Sequence, residues 1–260
     1  MPGFYCRLCN TQVQPTFTSK ILKKYTVTYY HCNNCGLLQT ENPYWLKESY
    51  VESINSTDTG ILARNIDNSK IVASIIFLFF NKNAKFLDFA GGFGIFTRLM
   101  RDIGFDFFWF DPYTENLVAR GFEYSEILEI ELLTSIECFE HLVNPLEDIE
   151  KMLVICQNIF FTTLLLPNPV PKPDQWWYYG LEHGQHIAFY SKETLQYMSR
   201  KYGLFLYSFG NSHLLTKKRI FPLFFKFVVI FHDILFYLLI KWQRKSRTFG
   251  DMNYLIKKME

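Results

Sequence analysis

Apolar and polar positions divide the chain into four stretches of different period. Across residues 84–216, short apolar runs (KFLDFA, FDFFWF, ELLTSI, NIFFTTLLL) have the length and composition of buried strands. Between them IFTRLMRDI, PLEDIEKMLVIC and SKETLQYMSRKYG space their apolar residues as helices do, and PYTENLVARGF starts another helix behind Pro112. LFLYSFG and HLLT read as closing strands. Strand and helix in alternation imply an α/β fold, a Rossmann-like, doubly wound and mostly parallel sheet. Ser191 is the expected N-cap of SKETLQYMSRKYG; with Thr194 at N3 instead of Glu or Gln, its capping box is expected to be incomplete.

The flanking stretches follow other rules. Residues 1–40 hold two cysteine pairs joined by strand-like KILKKYTVTYY, which predicts a hairpin between two knuckles. Residues 41–83 form an aromatic linker and a packing helix whose last apolar run, at about ten residues, is too short to cross a bilayer. Residues 217–260 carry an apolar helix, Ile220 to Trp242, and a basic tail. Lys226, Asp233, Tyr237 and Lys241 fall on one stripe of that helix, and basic clusters flank it. It therefore reads as peripheral to a membrane, or packed within the protein or a dimer, in preference to transmembrane.

Composition narrows the function classes. With 260 residues, 49% hydrophobic and 20% charged, the chain buries an ample core and is not disordered. A formal charge of +2 excludes nucleic-acid binding driven by net charge. The N-terminus MPGFYCRLCN has no secretory pattern, so the expected compartment is the cytoplasm, at most the inner face of a membrane. Aromatic residues make up 18% of the chain, an excess that calls for pockets or an exposed apolar face as well as a core.

Three constellations carry chemistry. Cys6, Cys9, Cys32 and Cys35, as two CxxC turns in a reducing compartment, predict a structural zinc ribbon; a redox dithiol or an iron–sulfur cluster are the rival readings. Cys138 and Cys156 stand alone in apolar runs and read as inert buried thiols. FLDFAGGFG sets Asp88, Gly91, Gly92 and Gly94 at the first strand–helix turn, where a backbone without Cβ can approach a ligand, and Asp111 ends the next strand where a carboxylate can accept from ribose hydroxyls. On the far side of the sheet come TSIECFEH, with Glu137, Glu140 and His141, and WWYYGLEHGQHIAFYS.

Residues Asp88 to Gly94, D-F-A-G-G-F-G, resemble the first motif of class I S-adenosylmethionine-dependent methyltransferases, D/E-x-G-x-G-x-G, with Ala90 in place of a glycine. The resemblance covers about residues 84–210 and implies S-adenosylmethionine as donor, with Asp88 near its methionine amino end and Asp111 on the ribose. HIAFYS is similar to a segment of NDP-sugar C-methyltransferases, which implies that His186 is the catalytic base with Tyr190 and Ser191 closing the pocket. Trp176, Trp177, Tyr179, Glu182 and His183 are the companion acceptor residues, with Glu140 and His141 supporting the chemistry. The expected reaction is methyl transfer to a sugar, glycan or other small polar acceptor, in a setting of glycan biosynthesis. ExxEH is also similar to the metal-binding segment of small-RNA and quinone O-methyltransferases, so a Mg²⁺-dependent enzyme is the alternative; a non-catalytic ribbon module is a third.

Overall fold

The computed structural model describes residues 4–51 and 54–260. β1 (Phe4–Tyr5), β2 (Gln12–Ile21), β3 (Tyr25–His31) and β4 (Leu38–Thr40) form an antiparallel ribbon with one cysteine pair in each of its two knuckles. The β2–β3 register slips between Pro15 and Phe17, where proline has no N–H for the ladder. After α1 (Leu46–Ser49), α2 (Ile61–Phe79) buries Ile71, Val72, Ile75 and Ile76, as the apolar run of the packing helix requires.

The core follows as β5 (Lys85–Phe89), α3 (Ile95–Ile103), β6 (Asp106–Phe110), β7 (Ile130–Ser135), α4 (Pro145–Ile155), β8 (Ile159–Thr162), β9 (Ala188–Phe189), α5 (Lys192–Tyr202), β10 (Phe205–Phe209) and β11 (Ser212–Thr216). Six strands make one sheet in the order β10-β11-β8-β7-β5-β6. β6, β5, β7 and β8 run parallel, whereas β11 and β10 are antiparallel additions at one edge. The chain goes from β5 outward to β6 and then back across β5 to β7. The switch point of this open sheet thus lies at the carboxyl ends of β5 and β7, where such folds leave a crevice.

Apolar side chains of α2, α3 and the C-terminal segment cover one sheet face. On the other face α4, α5 and the ribbon share a core, in which Leu8, Cys32 and Leu37 lie with Leu133, Leu195 and Met198. β9 pairs with β4, so the ribbon sheet takes its fifth strand from the loop that follows β8.

Three expectations change. Residues 112–122 form turns instead of a helix: the N–H groups of Leu117 and Val118 bond the Phe93 carbonyl, which removes them from a helical ladder, and Tyr124 then pairs with Trp109 beside β6. The capping box of α5 is complete, because the Thr194 hydroxyl accepts from the Ser191 N–H (3.1 Å) as a Glu would. The apolar segment is broken into α6 (Pro222–Ile230) and α7 (His232–Leu235), the latter continuing as a π-turn over Phe236–Ile240, with an 80° bend between the two halves. The His232 ring closes α6 by bonding the Val229 carbonyl (2.8 Å), so the polar stripe expected along one helix does not exist. Among the described residues no single helix is long and apolar enough to cross a membrane. Finally, the basic tail is helical: α8 (Thr248–Met259) is fixed to α3 by Arg101 and Asp251.

Candidate active site

A cleft of ≈ 1970 Å³ opens over the switch point, between the loop after β5 and the loops after β7 and β8. On the β5 side Asp88 is fully buried beneath the glycine turn; its carboxylate accepts from the hydroxyls of Thr97 (2.9 Å) and Thr134, and burial raises its pKa to about 7. A Cβ on Gly91 would lie 2.7 Å from the Asp88 carboxylate and from the Trp109 ring. Gly92 and Gly94 take φ of +53° and +87°, and Ala90 shares this left-handed region at +59°. Asp111 ends β6 facing the same turn: one oxygen accepts from the Gly92 N–H (3.0 Å), the other from the N–H groups of Tyr113 and Thr114. A carboxylate has further lone pairs, so ribose hydroxyls remain acceptable partners.

Across the cleft, two segments 45 residues apart in sequence meet. One ligand atom each from Glu140, His141 and His186 lies within 4.8 Å of the others. The Ile187 N–H bonds the Glu140 carbonyl (2.8 Å), which fixes the HIAFY strand against the ExxEH turn. His186 Nδ1 lies 2.6 Å from the Tyr178 carbonyl and His141 Nδ1 3.1 Å from the Gln185 carbonyl. A carbonyl only accepts, so the His186 Nδ1 carries the proton and its Nε2 keeps its lone pair, whereas the His141 Nδ1 is shared between the Gln185 carbonyl and the Tyr50 hydroxyl at 2.8 Å. Burial pushes the pKa of His141 down to about 4 and that of His186 well below its ordinary value, leaving both rings neutral at pH 7. Burial raises Glu137 to about 7, and raises Glu140 too although Tyr178 donates to it at 2.6 Å. Glu137 Oε1 and Glu140 Oε2 are buried without a hydrogen-bond partner. Glu137 also sits at φ +48°, a strained setting for a side chain with Cβ and one found at functional turns.

Trp177, Glu182 and His183 line the cleft, Trp177 as an exposed rim. Trp176, Tyr179 and Tyr190 do not; the structure differs here from the sequence expectation. Trp176 and Tyr179 pack edge to face with ring centroids 5.0 Å apart, between the ribbon sheet and the β8–β9 loop, and Tyr190 is buried against Phe139. Ser191 caps α5 under Gly36. Tyr178, named in the sequence only as part of the aromatic cluster, lines the cleft, as do Tyr50 and Arg64, which were not expected: the Tyr50 hydroxyl lies 2.8 Å from His141 Nδ1, and Arg64 is held by both oxygens of Asp58 at 2.7 Å. Tyr178 stands inside the aromatic WWYY motif, a usable signal; nothing in the sequence marks the other two.

The ribbon cysteines gather as one cluster. The four Sγ atoms lie within 4.8 Å of one another, with Cys6–Cys35 at 3.5 Å and Cys9–Cys32 at 3.4 Å. A tetrahedral thiolate site with metal–sulfur bonds of about 2.3 Å needs sulfurs about 3.8 Å apart, so this donor set fits such an ion. Cys138 and Cys156 are buried apart from it.

An open α/β sheet with a glycine turn and a carboxylate at its switch point defines a nucleotide-type binding protein. The family model described as "Methyltransferase domain" matches residues 63–208, and the chain belongs to that family. That membership makes methyl transfer the class of chemistry to which the site belongs. No curated protein matches the sequence. Similar solved structures include the plantazolicin methyltransferase BpumL in complex with SAH (16% identity, 56% of this chain and 72% of that chain, TM-score 0.38). They also include a putative O-methyltransferase from Nostoc punctiforme PCC 73102 (10%, 65% and 66%, 0.42) and an O-methyltransferase family protein from Burkholderia thailandensis (14%, 66% and 66%, 0.44).

Proposed function

We propose that this enzyme methylates a small polar acceptor of the sugar or glycan class, with His186 as the general base. The meeting of Glu140, His141 and His186 opposite the glycine turn supports this reading. Methyl transfer is an in-line displacement: the acceptor atom forms a bond to the methyl carbon as the bond from that carbon to sulfur breaks, and the acceptor loses a proton. On this reading the His186 Nε2 lone pair takes the proton, while the Tyr178 carbonyl holds the ring through Nδ1–H. Asp111 and the backbone of Gly91–Gly92 hold the donor nucleoside, and Asp88 its amino end. Trp177, Glu182 and His183 bound the acceptor. The ribbon cysteines hold a structural Zn²⁺.

A second reading rests on an orphaned carboxylate oxygen. Glu140, whose Oε2 is orphaned, makes with His141 and His186 an oxygen and imidazole donor set for a divalent cation, and the Tyr178 carbonyl orients the His186 ring through Nδ1–H as a ligand ring is oriented. Calorimetry and turnover separate the two. Asp111→Ala should weaken S-adenosylmethionine binding by about tenfold or more, whereas His186→Ala should leave it intact and lower turnover by about 10²–10⁴. If a chelator abolishes turnover and an added divalent cation restores it, the metal reading replaces the base; unchanged turnover in His186→Ala defeats both.

A further inference from the structure

We infer that the face formed by α6, α7 and the π-turn docks on an anionic lipid surface. Phe221 (69% exposed), Leu223 (67%), Leu238 (71%) and Trp242 (83%) present large apolar side chains to solvent, while Phe225, Val228 and Ile240 anchor the segment to the sheet. So many exposed apolar residues in one short segment exceed what scattered surface hydrophobes explain. Among the described residues no single helix of the segment spans: α6 has nine residues, about 14 Å of helix against a hydrocarbon core of about 30 Å, and an 80° bend sets α7 nearly at right angles to it. Two short apolar helices folded against a domain suit insertion at interfacial depth, with Trp242 and Tyr237 as aromatic residues for the headgroup level.

Charge identifies the partner. Residues 217–247 contain eight Lys and Arg against one acid, Asp233, in a chain whose total is only +2. Asp233 is itself paired with Lys70 at 2.6 Å. Among the described residues Arg219, Lys226, Lys241 and Lys245 have no carboxylate partner, and Lys226 and Lys241 lie over the rings of Phe209 and Tyr237. A second copy would bring the same unpaired cations against one another across a twofold axis. Anionic headgroups complement them, and the acyl region takes the apolar side chains. The position is also functional. Ile61, Arg64 and Asn65 of α2 line the cleft, and Asp67 and Lys70, one to two turns further along the same helix, hold His232 and Asp233 of α7. A bilayer on this face therefore lies beside the cleft.

Flotation of the full chain with vesicles tests the inference without donor or acceptor, so its outcome is separate from that of the methyl-transfer reading. With vesicles about one third phosphatidylglycerol, about tenfold more protein should float than with phosphatidylcholine alone, and the excess should fall as salt rises from about 0.1 M to 0.5 M. Leu223→Ser with Leu238→Ser, and separately Lys226→Glu with Lys241→Glu, should each abolish flotation while a cooperative urea unfolding transition is kept as evidence of folding. Flotation unchanged in both variants overturns the inference. So does a parent chain that never floats, whether it sediments as a monomer or as a dimer that Leu223→Ser with Leu238→Ser dissociates, the dimer assigning this face to a second copy.

Discussion

Ala90 occupies a left-handed backbone position (φ +59°) at the place where the methyltransferase motif has glycine. The sequence suggests only a small-for-small exchange; the conformation adds a cost, since an L side chain in this region is disfavoured by roughly 1–2 kcal/mol. Ala90→Gly should therefore raise stability by about 1 kcal/mol, read as a higher urea midpoint at constant m, with donor affinity unchanged. A lower midpoint would mean that the Ala90 methyl packs well enough to outweigh its backbone strain. Other residues show what a sequence discloses and what it does not. Asp88 and Asp111 are legible because their chemistry depends on chain spacing around one turn. Tyr50 is not, and Tyr178 is marked only as one of an aromatic cluster, since a phenol becomes a partner of His141 or Glu140 only when distant segments close over them. Trp176 and Tyr179 mislead for a related reason: a flat aromatic ring suits a sugar and a core equally, and here the ribbon sheet covers both.

At the scale of elements, the ribbon and the β8–β9 loop, the proposed acceptor loop, are hydrogen-bonded into one piece. β4 pairs Leu38 with Phe189 and Gln39 with Ala188, and Arg7 from the first knuckle bonds the carbonyls of Ile187 and Val143, on either side of the Glu140–His186 meeting. Gly36 of the second knuckle is so close to Ser191 that a Cβ would clash with its hydroxyl. The six strands of the main sheet, the β2–β3 hairpin, α3, α4, α5 and the two knuckles follow from periodicity and cysteine spacing, yet the docking of ribbon on loop does not, because it depends on β9, a strand of two residues with no pattern of its own. The turn at 112–122 fails as a helix because the Phe93 carbonyl competes for its N–H groups. The ribbon's strand pairing and the Arg7 bonds fall on the segment that carries His186, so its loss should have a selective effect. If the cysteines hold zinc and His186 is the base, as proposed, Cys32→Ser should lower the zinc content of the purified protein and lower turnover by about tenfold or more through misplacement of His186, with donor binding within about twofold of the parent. Equal loss of donor binding, by calorimetry, would show that the ribbon supports the whole domain instead.

On the scale of the whole molecule, the C-terminal helix is tied back to the donor half of the sheet by a buried ion cluster. Arg101, 1% exposed, donates to both oxygens of Asp251 (2.8 and 2.7 Å), to Asp106 (2.9 Å) and to the Phe107 carbonyl (2.7 Å), and it stacks 3.6 Å from the Phe122 ring. Arg98 reaches the same carboxylate at 2.9 Å. Burial alone would raise the pKa of Asp251, but the hydrogen bonds and charges of Arg101 and Arg98 hold it below the ordinary 3.8. Removing one member of such a cluster leaves a guanidinium buried with half its partners, a loss of about 3 kcal/mol or more. Asp251→Ala should show that loss in urea unfolding at pH 7. The sign with pH follows from the depressed folded value: the clamp contributes fully above the unfolded pKa of about 3.9 and is lost as pH falls through the lower folded one. Parent and variant should thus converge as pH falls below about 4. A difference that stays constant over that range would mean that α8 is held by its apolar contacts, such as Tyr254 on Phe122, and that the ion cluster adds nothing to stability.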